Sequence, residues 1–251
     1  MKKILLLVLL LAFMYSPVKA TIAPPAYLMF SDVPESYIYI DAIEYVLGQD
    51  IVSGYSDGTF KPDNAVTRGE FTKIIIGSLC GKLTDFRFEN SECGLSFGVQ
   101  GGGYIPLPDV DGCSEGPGWE ECSNVATYGE KLFVDGIYVR KDFGPYIYEA
   151  KKRNIISGYS DGTFKPDVNI TFDQAAKIVA NSFGFLEDDK SKPYPDNRLH
   201  RYVSELSDRD AIPMEIQSRD SYITRGQMVE IIYRLKNNIT NKPSNHELIF
   251  N

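Results

Sequence analysis

Two arginines stand at the first position of helices whose starts are written plainly in the chain. Arg68 follows Thr67 in "VTRGEFTKIIIGSL", Val66 to Leu79, and Arg225 follows Thr224 in "ITRGQMVEIIYRL", Ile223 to Leu235. That end of a helix already carries partial positive charge, so a cation there is awkward unless an anion is expected. Backbone N–H groups together with a guanidinium make a two-point receptor for a carboxylate or phosphate. The plainer alternative is a solvated arginine paired with a neighbouring acid. A third segment, "ITFDQAAKIVANSF" from Ile170 to Phe183, repeats the pattern but carries Phe172 where the others carry arginine. Catalysis finds little footing. His200 lies in a degenerate repeat and His246 in a loose tail, and no serine or cysteine stands in a nucleophile context.

The three segments share one design. Thr67, Thr171 and Thr224 fit the N-cap, and Glu70, Gln174 and Gln227 stand three residues later, the spacing of a capping box. Val66, Ile170 and Ile223 precede the caps and can staple onto Phe71, Ala175 and Met228. Apolar residues then recur at helical spacing, as in Phe71, Ile74, Ile75 and Leu79. Upstream, "IVSGYSDGTFKPDNAVT" (Ile51 to Thr67) and "IISGYSDGTFKPDVNIT" (Ile155 to Thr171) are nearly identical across an offset of 104 residues. Gly54 and Gly158 fit the left-handed position that closes a preceding helix, and Asp57-Gly58 and Asp161-Gly162 mark tight turns. First helices are expected at Tyr39 to Leu47, near Tyr146, and around Leu199 to Leu206. The unit is helix, glycine-closed loop, helix, and three copies make the fold mainly α.

These residues resemble the S-layer homology (SLH) module. The match is carried by "FSDV" (Phe30 to Val33), "DAI" (Asp41 to Ile43), "GYSDGTFKP" (Gly54 to Pro62) and "VTRGE" (Val66 to Glu70). The resemblance implies three helix-loop-helix repeats in a pseudo-threefold helical assembly whose inter-repeat grooves hold a cell-wall polysaccharide, acidic and often pyruvylated. On that resemblance Arg68 and Arg225 engage the anion, and Lys61 and Lys165 add charge. Asp32 and Asp196 accept hydroxyl hydrogen bonds, and Gly54, Tyr55, Gly158 and Tyr159 line the binding loops. Asp32 reads equally as a cap on the first helix. The family's tryptophan near the first helix is replaced by Tyr37-Ile38-Tyr39, so any stacking on a sugar falls to a tyrosine.

In chain order, residues 1–20 read as a signal peptide: Lys2 and Lys3, an apolar run from Ile4 to Tyr15, and small residues before a cut after Ala20. The apolar run is too short for a stable membrane span. A linker (21–29), repeat one (30–80), an insertion (81–103) and repeat two (104–185) follow, the last with a cysteine-bearing loop and its lead-in at Pro108-Asp109-Val110. Repeat three (186–236) lacks the glycine-tyrosine-aspartate-glycine loop, and the polar tail (237–251) is expected to fray. Removal of Lys2, Lys3 and Lys19 with the signal takes the net charge from −8 to −11, which disfavours nucleic acid and anionic membranes as partners.

Cys80, Cys93, Cys113 and Cys122 in an exported chain read as two disulfides. Three connectivities are open, with the local pairs Cys80 to Cys93 and Cys113 to Cys122 favoured. Their spacing lacks the paired C-x-x-C of zinc sites. An EF-hand frame from Asp109 reaches Glu120 at position twelve but puts Cys113 at five and Ser114 at six, so no metal or cofactor is expected. The expectation is a non-catalytic cell-surface protein held to the envelope by a secondary polysaccharide or peptidoglycan-linked polymer, with a surface-layer protein as a further partner. The alternative is an adhesive protein that uses the cysteine-bearing insertion to bind protein or calcium, with the repeats as scaffold.

Overall fold

The structure, a computed structural model, describes residues 25–81, 83–84, 87–88, 133–135, 143–185 and 199–249. The signal, Asp196, Cys93, Cys113, Cys122 and the acidic stretch from Asp109 to Glu121 lie outside the described residues. What is described is mainly helical. A short helix α1 (Ala26–Met29) precedes three helix pairs: α2 (Ile40–Gly48) with α3 (Arg68–Cys80), α4 (Gly144–Lys152) with α5 (Phe172–Ser182), and α6 (His200–Ser207) with α7 (Arg225–Asn237). A two-residue antiparallel pair, β1 (Leu83–Thr84) and β2 (Arg87–Phe88), follows α3. Cys80, buried at the end of α3, is disulfide-bonded.

The three staple residues tie the pairs into a ring. The Ile170 amide donates to the Val66 carbonyl at 3.0 Å, the Ile223 amide to Ile170 at 3.1 Å, and the Val66 amide to Ile223 at 3.1 Å. All three side chains are buried, and burial of an aliphatic side chain of this size is worth about 1.5–3 kcal/mol. Around this centre each second helix packs on the first helix of the following pair: α3 on α4, α5 on α6, and α7 back on α2. No pair buries its apolar face alone, so the ring is the folding unit.

Each first helix ends on a left-handed residue: Asp50 (φ 53°), Asn154 (φ 57°) and Asp210 (φ 54°). The amides that follow turn back, Ile51 to Val46 and Ile155 to Ala150, both at 2.9 Å. Asx residues tolerate this backbone because a short polar side chain adds little steric cost. The expectation that Gly54 and Gly158 close these helices is therefore corrected. Gly54 is required by packing, since a Cβ would run into the Phe30 ring; Gly158 does take a left-handed backbone (φ 76°), but beyond the helix end, and a Cβ there would lie 2.5 Å from Phe133.

Two further expectations are corrected. Thr67 with Glu70 and Thr224 with Gln227 form complete capping boxes, whereas Thr171 makes no side-chain cap bond among the described residues. Its partner is diverted, because Gln174 Oε1 accepts from Arg68 Nη1 at 3.0 Å. The described part of the tail, residues 237–249, does not fray. Residues His246–Ile249 form a 3-10 turn with Leu248 buried, Asn245 Nδ2 donates to the Ile216 carbonyl at 2.8 Å, and Arg234 Nη1 donates to the Pro243 carbonyl at 2.9 Å. The tail thus docks on the third pair, whose connecting loop is the short one.

Candidate functional site

The near-identical loops before α3 and α5 are built alike. Asp57 Oδ1 accepts from the Thr59 amide at 3.1 Å, and Asp161 Oδ1 from the Thr163 amide at 2.9 Å. Gly58 (φ 78°) and Gly162 (φ 81°) make the turns that the Asp-Gly pairs announce. Lys61 and Lys165 then adopt positive φ and bond back to Asp57 and Asp161, each at 2.9 Å. Hydrogen bonds from Thr59 and Lys61 pull the Asp57 carboxyl down to about 2, and Asp161 lies lower still for the same reasons.

A second carboxylate pins each loop from outside. Asp32 accepts the Phe60 amide at 2.8 Å and the Lys61 amide at 2.7 Å, so it acts neither as a helix cap nor as a free acceptor. Its counterpart in the second pair is Asp135, which accepts the Phe164 amide at 3.1 Å and the Lys165 amide at 2.8 Å. The rings before them match too, Phe30 with Phe60 and Phe133 with Phe164, both at 5.4 Å. The lead-in of the second repeat is therefore Phe133-Val134-Asp135, in place of Pro108-Asp109-Val110. Sequence reasoning missed Asp135; the shared F-x-D pattern, 28 residues before Phe60 and 29 before Phe164, was the available signal.

The loops cap the helices of their neighbours. The Arg68 and Gly69 amides donate to the carbonyls of Val168 and Pro166 at 2.9 and 2.8 Å, and the Arg225 and Gly226 amides to Asn64 and Pro62 at 2.9 and 2.7 Å. The next amide in each helix goes to the capping threonine, Glu70 to Thr67 and Gln227 to Thr224. The amide half of the expected two-point receptor is occupied by backbone, and the guanidinium remains.

Arg68 and Arg225 lie in different grooves, each only 6% exposed. Arg68 reaches over the second loop: Nε donates to the Phe164 carbonyl at 2.9 Å, and the guanidinium carbon lies 4.6 Å from the Tyr159 ring centre and 4.7 Å from that of Phe164. Arg225 does the same over the first loop, at 5.1 Å from Tyr55 and 4.7 Å from Phe60, with Nη2 donating to the Ser53 carbonyl at 2.7 Å. Its Nε is buried without a partner among the described residues. Lys165 and Lys61 lie over the same tyrosines, at 4.5 and 4.2 Å, so each loop tyrosine holds an arginine and a lysine within cation–π range. Burial lowers the affinity of both guanidinia for their protons, against the opposing pull of Tyr159 and Asp135 on Arg68 and of Tyr55 and Glu70 on Arg225.

Beside Arg68 the surface opens into a hollow of about 130 Å³, with Ser157, Gly158, Tyr159, Gln174 and Lys177 on its polar side and Ile155, Ile156, Ile178 and Leu199 on its floor. Tyr37 and Tyr39, the tyrosines nearest the expected stacking position, are committed elsewhere. Tyr37 donates to Asp63 at 2.9 Å and Tyr39, nearly buried, to Glu215 at 2.6 Å.

The third groove is closed. Phe172 fills the arginine's place at 1% exposure. Asp173 beside it is gripped by Arg219, Nε to Oδ1 at 2.7 Å and Nη2 to Oδ2 at 3.1 Å, both side chains being buried. Among the described residues no helix is long and apolar enough to cross a membrane, and no cluster of three His, Cys, Asp or Glu is placed to hold a metal ion.

The S-layer homology domain family matches residues 30–72 and 140–176, in each case the first helix of a pair, the loop after it and the start of the second helix. The chain is 26% identical over 155 residues to a cellulosome-anchoring protein of Acetivibrio thermocellus, covering 61% of this chain and 25% of that one. It is 25% identical over 150 residues to cell surface glycoprotein 1 of the same organism, covering 60% and 5%. An endoglucanase of Bacillus sp. strain KSM-635 is 23% identical over 171 residues, covering 60% and 18%. The chain thus matches no more than a quarter of the length of these relatives.

Proposed function

This chain is an S-layer homology domain protein, matched over two regions, and on that premise we propose that it attaches to the cell envelope by holding an acidic wall polysaccharide in its inter-repeat grooves. The observation that carries the reading is the pair of nearly buried arginines, each set over a loop tyrosine at a groove. A buried guanidinium held by stacking and backbone bonds is preorganised for a carboxylate, and it keeps its charge at any physiological pH. The third helix pair is read as a third repeat of the family whose groove has been given up to the Asp173–Arg219 pair.

Within this reading the anion meets a guanidinium and a lysine, since backbone carbonyls hold the helix amides. Lys61 and Lys165 are partly neutralised by Asp57 and Asp161 and contribute chiefly by fixing the tyrosines. Asp32 serves the loop, and hydroxyl recognition passes to Ser157, Tyr159 and Gln174 in one groove and Ser53 and Tyr55 in the other. The protein is non-catalytic and acts at the cell surface.

Co-sedimentation with purified wall sacculi tests this. The full chain is expected to sediment with intact sacculi, and to remain in solution when the secondary polymers have been stripped or when Arg68→Ala and Arg225→Ala are combined. Undiminished sedimentation of the double variant, with its melting temperature preserved, contradicts the reading.

A further inference from the structure

The two open grooves differ at one position whose charge bears directly on an anion. Behind Arg68 stands Gln174, the third residue of α5, and behind Arg225 stands its counterpart Glu70, the third residue of α3. Each helix carries a lysine three residues on, Lys177 and Lys73, set 5.9 Å from Tyr202 and 5.7 Å from Tyr146 respectively, so the two lysines are placed alike and do not distinguish the grooves. In the third groove the same positions are Gln227 and Glu230.

Gln174 accepts from Arg68 Nη1, and among the described residues no carboxylate lines the Arg68 hollow. Two cations, Arg68 and Lys177, face it. In the other groove Glu70 Oε2 is held in the capping box by Thr67 at 2.9 Å while Oε1 lies 3.5 Å from the Tyr55 hydroxyl, the ring over which Arg225 is set. A fixed negative charge therefore lies against the ring that holds Arg225, whereas the carboxylate that acts on Arg68, Asp135, is taken up by the Phe164 and Lys165 amides. The arginines are held unequally as well: Arg68 Nε has the Phe164 carbonyl, whereas Arg225 Nε is buried without a partner among the described residues.

We infer that the grooves are ranked, that the Arg68 groove is the principal carboxylate seat, and that the residue at the third helical position, Gln174 against Glu70, sets the order. This rests on the polysaccharide reading for the identity of the ligand, and on the geometry alone for the ranking. One charge at this range shifts an anion's affinity by about tenfold.

The test is an amide NMR titration of the full chain with two probes, glucuronate and inorganic sulfate. Expected for wild type are shifts at Ser157, Gly158 and Lys177 that saturate at lower concentration than those at Ser53, Gly54 and Lys73. Gln174→Glu is expected to weaken the first set by about tenfold and Glu70→Gln to tighten the second by about tenfold. Glu70→Gln keeps its capping box, as Gln227 does in α7, so its fold is not at issue. Equal saturation of the two sets, or a second set unmoved by Glu70→Gln, overturns the ranking and leaves the polysaccharide reading standing if glucuronate binds. Ranked sulfate binding with no response to glucuronate overturns the carboxylate seat and counts against a carboxylated sugar as ligand. Silence from both probes in both grooves overturns the two together.

Discussion

Arg219 holds Asp173 by two hydrogen bonds across 46 residues of chain, and neither residue is more than 8% exposed. The pair occupies positions that are glycine and proline elsewhere in the ring: the Asp173 amide donates to the Arg219 carbonyl as Gly69 does to Pro166 and Gly226 to Pro62. Breaking a buried pair by removing one partner costs about 3–5 kcal/mol, because the other charge is left uncompensated. Arg219→Ala is expected to lose stability on that scale in urea unfolding. Asp173→Gly combined with Arg219→Pro, which writes the other two junctions into the third, is expected to recover most of the loss; a double variant no more stable than Arg219→Ala would contradict the equivalence.

Glycines of similar appearance should respond in opposite ways. A Cβ at Gly226 would lie 2.6 Å from the Tyr37 hydroxyl and 3.1 Å from the Pro62 carbonyl oxygen, whereas nothing lies within 4 Å at Gly48. Gly226→Ala is expected to destabilise by about 1–3 kcal/mol through overpacking. Gly48→Ala, at the end of α2, is expected to be neutral or to stabilise by up to about 1 kcal/mol. Thermal melts of the two variants decide it.

The loop aspartates and the buried tyrosines set opposite pH limits. Asp57 is held down at about 2 from an ordinary 3.8, so its contribution is present above the ordinary value and is lost as pH falls through about 2. Tyr37 and Tyr39 are raised by burial and by hydrogen bonds to Asp63 and Glu215, so the protonated forms are favoured by the fold. Their contribution is present below the ordinary tyrosine value of 10 and is lost as pH rises beyond it. Ultraviolet titration should show a class of tyrosines that ionise late, and Glu215→Gln should bring one of them earlier.

Much of this architecture was legible because it is local. Capping boxes at Thr67 and Thr224, Asp-Gly turns at Gly58 and Gly162, and amphipathic stripes depend on residues within a few positions of one another. The Thr171 box failed for a reason no local pattern contains: Gln174 is engaged by Arg68, 106 residues away. Glycine was overread in the same way. Its presence at Gly54 answers to the Phe30 ring, while an ordinary aspartate, Asp50, takes the left-handed turn. The tail gave no signal because its partners, Ile216 and Asp210, belong to a loop without a family pattern. For the site, residue types located both arginines, yet only the fold assigns them to separate grooves and shows the helix amides already bonded.

Buried arginines that hold a polymer by its negative charges must release it when those charges are removed. Affinity electrophoresis of the full chain measures this, through gels containing the purified secondary polymer, native and after chemical reduction of its carboxylates to alcohols. Strong retardation by the native polymer is expected, with loss of retardation after reduction; on native polymer Arg68→Gln is expected to weaken retardation and Arg68→Gln combined with Arg225→Gln to abolish it. Equal retardation by the native and reduced polymers would contradict it.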